Sequence, residues 1–196
     1  MCLPRYRPCA YEALAFLNQK KQIVLINLVY VTIAGNTITR RAEHGKRYSW
    51  YAIRLAQRLM NETPYFVAER HRDGVTVITF FHSSHSKQEY LKHKPKTSKI
   101  GTKTWNRKMG LLFGYPEFAI RDFESREYKN NPLSRIFILI KPLGLFFGIL
   151  KSSAGELQTF IDKHNIKNKD VLVYSPSYSS YGMFSGIKRF NRKAFR

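Results

Sequence analysis

The longest apolar runs of this sequence restrict the folds that it can adopt. Residues 136–150 are almost entirely apolar, but Lys141 and Pro142 interrupt them, and the run is shorter than the about 20 residues that a membrane-spanning helix needs. A second run, residues 23–33, is rich in Val and Ile and contains one Asn. Its length and β-branching favour a buried strand, and we interpret residues 136–150 as core. The sequence is therefore expected to form a globular core and no transmembrane segment.

Amphipathic segments around these runs predict helices. The segments with helical spacing or helix-end signals are residues 8–22, 47–62, 105–113, 116–128 and 153–164. In the clearest helix, 47–62, apolar side chains recur at helical spacing at Trp50, Ile53, Ala56, Leu59 and Met60. Ser153 and Glu156 have the spacing of a capping box at the start of the last helix.

Short strand-like segments separated by turn residues predict a small, largely antiparallel sheet. Asp73 and Gly74 lie between residues 65–70 and 75–81, an arrangement typical of a tight hairpin. Further strands are predicted at residues 37–41 (after a turn at 34–36), 133–140 and 171–174. Together with the helices, these strands predict an α+β fold in a single compact mixed domain.

The chain is expected to divide into one domain and a tail. Residues 1–175 are interpreted as the mixed α+β domain, which includes a basic loop at 83–104 where the apolar periodicity is lost. Residues 176–196 form a basic, aromatic C-terminal tail. Because residues 184–196 have five Lys or Arg, three Phe and no acid, we predict that they are mobile until a partner orders them.

The charge balance narrows the class of partner. There are 34 Lys and Arg against 13 Asp and Glu, which gives a net charge of +21. The hydrophobic content of 43% nevertheless supports a folded body. Self-repulsion at this charge destabilises a compact state, so a polyanion is the expected partner, and nucleic acid is the foremost candidate.

Three groups of residues are candidate contacts to nucleic acid. The first is a row of arginines on the 47–62 helix: Arg47, Arg54 and Arg58. The second is the basic loop with the start of the next helix: Lys94, Lys96, Lys99, Lys103, Trp105, Arg107 and Lys108. The third is in the tail: Lys188, Arg189, Phe190, Arg192, Lys193 and Arg196. Cations that alternate with rings suit single strands or irregular RNA, since rings stack on unpaired bases.

Catalysis by histidine is the main alternative. His82 and His85 follow a predicted strand, and two histidines could act as general acid and base in a metal-independent phosphodiesterase or nuclease. Zinc bound by Cys2, Cys9, His82 and His85 is disfavoured because the cysteine spacing is not that of a zinc knuckle. The sequence contains no Walker loop, dinucleotide fingerprint or nucleophile elbow. We therefore predict no catalytic residue, no metal and no cofactor.

A helix-turn-helix role for residues 105–128 is also disfavoured. The second helix would present Glu117, Asp122, Glu124 and Glu127 to the phosphates of a groove. The favoured hypothesis is instead a non-enzymatic nucleic-acid-binding protein that prefers RNA slightly over DNA. It would act within a ribonucleoprotein or on a viral or mobile-element nucleic acid. A basic factor that binds an acidic protein or a membrane surface is a further alternative. Two cysteines make no disulfide framework, which favours a reducing compartment, and we expect the cytoplasm.

Overall fold

The computed structural model describes residues 7–40, 50–70, 74–93, 102–174 and 187–189. Within these ranges the chain has seven α-helices and three small antiparallel sheets, so the predicted mixed α+β class is confirmed. Where the sequence predicted one domain over residues 1–175, the chain gathers into two compact units, residues 1–92 and 93–196.

Unit 1 is built on a three-stranded sheet and a separate hairpin. Its helices are α1 (Arg7–Leu17), α2 (Trp50–Glu62) and α3 (Ser84–His93). Its strands are β1 (Ile23–Val29), β2 (Val31–Ala34), β3 (Thr37–Arg40), β4 (Phe66–Arg70) and β5 (Val75–Phe81). The sheet has the order β1-β5-β4, and β2 and β3 form the hairpin. The hairpin predicted around residues 34–36 is therefore present, and the two strands predicted on either side of Asp73 and Gly74 pair antiparallel, although residues 71–73 lie outside the described ranges.

The core of unit 1 is the apolar stripe of α2 against the sheet. Ala56 and Leu59 are fully buried together with Phe16, Ile78 and Phe80. This burial confirms the amphipathic pattern that predicted α2. The β2–β3 hairpin is held to the same helix by a side-chain amide. Gln57 accepts from the backbone N–H of Ile38 at 3.0 Å and donates to the carbonyl of Asn36 at 2.6 Å.

The prediction of one continuous strand over residues 23–33 is wrong. Tyr30 has a φ of +54°, which is outside the strand region and separates β1 from β2. Its backbone N–H donates to the carbonyl of Gly74 at 3.2 Å, and its ring lies where a Cβ on Gly74 would approach to 3.1 Å. The positive φ of Tyr30 therefore separates the two strands beside a residue 44 positions away, and no local periodicity indicates it.

The prediction of a basic loop over 83–104 is also wrong for its first part, because residues 84–93 form α3. Ser83 begins this helix, with its hydroxyl accepting from the N–H of Ser86 at 3.1 Å. One apolar side chain holds it in place: Tyr90 is buried, with its ring 5.2 Å from that of Phe81. A single buried residue gives almost no periodic signal, which is why the sequence did not predict α3.

Unit 2 packs helices against a four-stranded sheet. Its helices are α4 (Lys103–Leu112), α5 (Glu117–Glu124), α6 (Arg126–Asn130) and α7 (Ala154–Lys163). Its strands are β6 (Arg135–Ile140), β7 (Leu145–Leu150), β8 (Val171–Tyr174) and β9 (Ile187–Arg189), in the order β7-β6-β8-β9. The core joins Phe118 of α5 and Leu157 of α7 to Ile138, Ile149 and Val173 of the sheet. The apolar run 136–150 is thus the central hairpin of this core, as its composition predicted.

Helix ends in unit 2 depart from the predictions. The predicted helix 116–128 ends at Glu124, because Ser125 is extended and its hydroxyl caps α6 by accepting from the N–H of Tyr128 at 3.1 Å. The capping box predicted for α7 does not form, since the Ser153 side chain makes no cap hydrogen bond. Both of its residues contact Arg121 instead. Arg121 donates to the Ser153 hydroxyl at 3.4 Å and to Glu156 at 2.5 and 3.2 Å.

Three residues of the predicted tail belong to the sheet. Ile187–Arg189 pairs antiparallel with β8, with Tyr174 opposite Ile187 and Leu172 opposite Arg189. These residues, which the sequence assigned to a tail outside the domain, thus form a strand. The rest of the tail lies outside the described residues.

Candidate nucleic-acid interface

The arginine row on α2 is partly described. Arg54 and Arg58 are one turn apart and exposed, while Ala56, Leu59 and Met60 face the core. The fold therefore places both arginines on the solvent side of the helix, as the 3.6-residue period requires. Arg47 lies outside the described residues.

The start of α4 presents a second group of cations. Thr102 caps this helix, with its hydroxyl accepting from the N–H of Trp105 at 3.4 Å. Lys103, Arg107 and Lys108 are exposed on the side of α4 opposite the buried Met109. Arg107 is partly neutralised, because its guanidinium lies 3.5 Å from the carboxylate of Glu117.

Trp105 lies on a different side of α4 from two of these cations. It is two positions from both Lys103 and Arg107, which is about 200° around a helix, whereas Lys108, three positions away, is on the same side as Trp105. The residue is half-buried, and its indole Nε1 is buried without a hydrogen-bond acceptor in the described part of the chain. The ring is therefore partly used in packing.

The remaining predicted contacts have no described side chains. Lys188 and Arg189 are placed by their backbone in β9. The others lie outside the described residues: Lys94, Lys96, Lys99, Phe190, Arg192, Lys193 and Arg196.

Several acids of unit 2 are buried or bound to partners within the unit. Asp122 is buried and accepts from the backbone N–H of Leu150 at 2.9 Å. Glu156 binds Arg121 through both oxygens, and these hydrogen bonds raise the pKa of the Arg121 guanidinium. One carboxylate oxygen of Glu124 is buried. Of the four acids that disfavoured a helix-turn-helix role, Asp122 is buried and Glu124 is partly buried, whereas Glu117 and Glu127 are exposed.

Many cations of unit 2, in contrast, have no acidic partner. Eight Lys or Arg are exposed and form no ion pair with any residue that the structure describes: Lys103, Lys108, Arg126, Lys129, Lys151, Lys163, Lys167 and Lys169. Because residues 93–196 hold 20 Lys and Arg against 7 acids, the uncompensated charge is +13. The surface of this unit is therefore an attractive one for polyanions.

A cationic group that was not predicted from the sequence lies at one end of the unit 2 sheet. Lys141 follows β6, and Lys163, Lys167 and Lys169 lie between the last residue of α7 and the start of β8. Antiparallel pairing of Ile140 with Val171 brings these two connections together. We call these four lysines the basic sheet end. The only sequence signal was three closely spaced lysines at the end of a predicted helix and before a predicted strand, since Lys141 is distant along the chain.

The histidines of the alternative hypothesis differ in their surroundings. The ring of His82 is stacked on Phe16, with 3.9 Å between centroids, and its Nε2 lies 2.6 Å from the Phe16 carbonyl oxygen. His85 is exposed in the first turn of α3. His82 thus joins the end of α1 to the end of β5, which is a packing role. Neither Cys2 nor His71 is described.

Among the described residues there is no group of three or more His, Cys, Asp and Glu side chains that could hold a metal ion. In the same part of the chain, no helix combines the length and the apolar character that crossing a membrane requires. Comparison with family models, with curated proteins and with solved structures finds no match to this chain.

Proposed function

We propose that this protein binds nucleic acid without catalysing its cleavage, and that it prefers RNA slightly over DNA. The observation that carries the proposal is the set of eight exposed cations of unit 2 that have no acidic partner among the described residues. With a net charge of +21, the chain offers many more cations than its own acids can neutralise. Phosphates neutralise them and release condensed counterions, which drives binding.

The position of the acids supports this proposal. A protein can be basic in composition and still show a mixed surface, but here Asp122 and part of Glu124 are buried. Glu156 is occupied by Arg121. The repulsion that surface carboxylates exert on phosphates is thereby reduced.

The preference for RNA rests on rings that alternate with cations. In the tail these are Phe184, Phe190 and Phe195, which lie among five Lys and Arg. Rings stack on unpaired bases, which are more common in RNA than in duplex DNA. Trp105, being half-buried, adds less to this argument than its sequence neighbours suggested. We place this activity in the cytoplasm, within a ribonucleoprotein or on a viral or mobile-element nucleic acid.

A salt titration tests the proposal. The purified protein is first checked for bound nucleic acid by its absorbance ratio and by nuclease sensitivity. Affinity for a labelled single-stranded RNA, the matching DNA and their duplexes is then measured at several salt concentrations. The logarithm of the affinity should fall by about 0.7 to 0.9 per phosphate contact for each tenfold rise in salt. An affinity that does not change with salt, or no binding to any of the four, refutes the proposal.

A further inference from the structure

We infer that the basic sheet end, Lys141, Lys163, Lys167 and Lys169, is the main phosphate-contacting surface of unit 2. The inference rests on the proposed function and names the surface that performs it. Its partner is the sugar–phosphate backbone of RNA, bound through charge rather than through base edges.

The sheet topology gathers this surface from distant parts of the chain. β6 ends at Ile140 beside Val171, the first residue of β8, and β9 ends at Arg189 opposite Leu172. The end of β6, the start of β8 and the end of β9 therefore meet at one end of the sheet. α7 contributes as well, because it returns the chain from the end of β7 to the start of β8 and ends at Lys163.

Backbone hydrogen bonds give the lysine-bearing connection a defined conformation. The N–H of Ile166 donates to the Ile161 carbonyl at 3.0 Å, and that of Asp170 to the Lys167 carbonyl at 2.8 Å. Lys141 joins the two connections, since its ammonium donates to the carbonyl of Lys169 at 3.1 Å. The lysines thus extend from an ordered support, which lowers the entropy lost when phosphates bind.

The two nearby acids reduce this charge only in part. Asp162 accepts a hydrogen bond from Gln158 on its own helix at 2.8 Å, and Asp170 is half-buried. Lys163, Lys167 and Lys169 are exposed and form no ion pair with a described residue. The positive charges of these three lysines are therefore not neutralised by a described acid, and they can attract anions.

Two arginines near the opposite end of the same sheet have partners within the unit. There the Arg121 guanidinium is held by Glu156, and Arg135 donates to the carbonyl of Lys129 at 2.7 Å. Arg135 also lies over the ring of Tyr128, 4.7 Å from its centroid. Arg121 and Arg135 are thus engaged within the unit, whereas Lys163, Lys167 and Lys169 of the basic sheet end form no ion pair with a described residue.

The course of the chain adds a further argument. β9 ends at the basic sheet end, and the sequence then continues into a segment with Arg192, Lys193 and Arg196. The most basic part of the tail is therefore attached to the chain at this end of unit 2.

Two variants with equal charge loss test the inference in the full-length chain. The first is Lys163→Gln/Lys167→Gln/Lys169→Gln at the basic sheet end. The control is Arg126→Gln/Lys129→Gln/Lys151→Gln, which removes three exposed cations elsewhere in unit 2. The probe is a labelled single-stranded oligouridylate, and affinity is measured across salt concentrations. Thermal unfolding of both variants shows that the fold is retained.

The sheet-end variant should bind more weakly than the control. Three lost contacts on a single strand should lower its salt slope by about 2, since each contact contributes about 0.7. The variant Lys163→Arg/Lys167→Arg/Lys169→Arg should bind like the wild type. Equal weakening in the two Gln variants, or a greater loss in the control, overturns the inference and leaves the proposed function standing. A wild type that binds no nucleic acid overturns both.

Discussion

The Asp122 carboxylate accepts a hydrogen bond from the backbone N–H of Leu150 at 2.9 Å, in a position where Asp122 is only 3% exposed. This contact joins α5 to the last residue of β7. In a chain with few acids, one of them is thus used to satisfy a backbone donor at the end of a strand.

Replacing Asp122 should destabilise unit 2. Asp122→Ala leaves the buried N–H of Leu150 without an acceptor, which costs about 1–3 kcal/mol of unfolding free energy. Asp122→Asn retains an oxygen acceptor and should cost less. Denaturant unfolding of the wild type and both variants measures the difference. Wild-type stability for Asp122→Ala would show that this hydrogen bond contributes nothing.

Gly148 should not tolerate a side chain. A Cβ at this position would collide with the Tyr128 hydroxyl and lie 3.1 Å from the ring of Phe137. Gly148→Ala should therefore destabilise the protein by about 1–3 kcal/mol, the usual cost of overpacking. Gly155 is the matched control, because nothing lies within 4 Å of a Cβ there and it is part of α7. Gly155→Ala should be neutral or stabilise by up to about 1 kcal/mol. Equal effects of the two substitutions in thermal unfolding would contradict this prediction.

The buried pair of Glu12 and Lys21 should make stability depend on pH. Their charged atoms are 3.6 Å apart, and their side chains are 14% and 4% exposed. Burial raises the pKa of Glu12 above its ordinary value of 4.5, although Lys21 opposes this shift. Because the folded state holds the proton more tightly, the contribution of Glu12 to stability is greatest at low pH. It is lost as pH rises through the raised pKa.

The double variant Glu12→Gln/Lys21→Met removes this titration without leaving a buried charge unpaired. Relative to it, the wild type should lose stability as pH rises from below 4.5 to neutrality. Denaturant unfolding of both proteins across that interval measures the difference. A difference that is constant, or that grows in favour of the wild type, would argue against the raised pKa.

His82 and His85 should differ in their effects, and neither should govern cleavage. His82→Ala removes the ring stacked on Phe16 and should cost about 1–3 kcal/mol in unfolding free energy. His85→Ala changes an exposed side chain and should leave stability within about 0.5 kcal/mol. Incubation of the wild type with mixed RNA and DNA should give no cleavage products. Cleavage that disappears in either variant would instead support the phosphodiesterase alternative.

The tail should strengthen binding to single strands. Deletion from Phe184 would also remove β9, so the sharper variant ends at Arg189 and retains that strand. Loss of residues 190–196 removes three cations and two rings. The rings contribute about 1–3 kcal/mol for each stacked base, so affinity for single-stranded RNA should fall more than affinity for duplex. Limited proteolysis should cut this segment in the free protein and spare it when RNA is added. Equal cutting in both conditions would exclude the segment from the binding surface.

Several elements followed from the sequence because their signals are local. The stripe on α2 and the turn at Gly35 between β2 and β3 depend on residues within a few positions of one another. Gly35 has the positive φ of +57° that favours glycine in such a turn. The net charge follows from the composition alone, and it was sufficient to predict a polyanion as the partner.

Tertiary structure decided whatever depended on residues far apart in the chain. Tyr30 separates β1 from β2 with a positive φ while its ring lies against Gly74, and α3 is held by one buried residue, Tyr90. Arg121 takes both residues of a capping box that the local pattern assigned to a helix start. Local periodicity indicates the face of an element on which a residue lies. It does not indicate which distant group contacts that residue or accepts its hydrogen bonds.

The candidate interface shows the same division. Sequence alone identified cations that are neighbours in the chain, such as Lys103, Arg107 and Lys108. It could not join Lys141 to Lys169, because only the pairing of β6 with β8 brings those positions together. Likewise, the sequence shows which residues are acids, but burial and ion pairing in the folded unit determine which of them face solvent. Composition therefore determined the sign of the charge expected on the partner, and the antiparallel sheet decided where the cations of this protein meet.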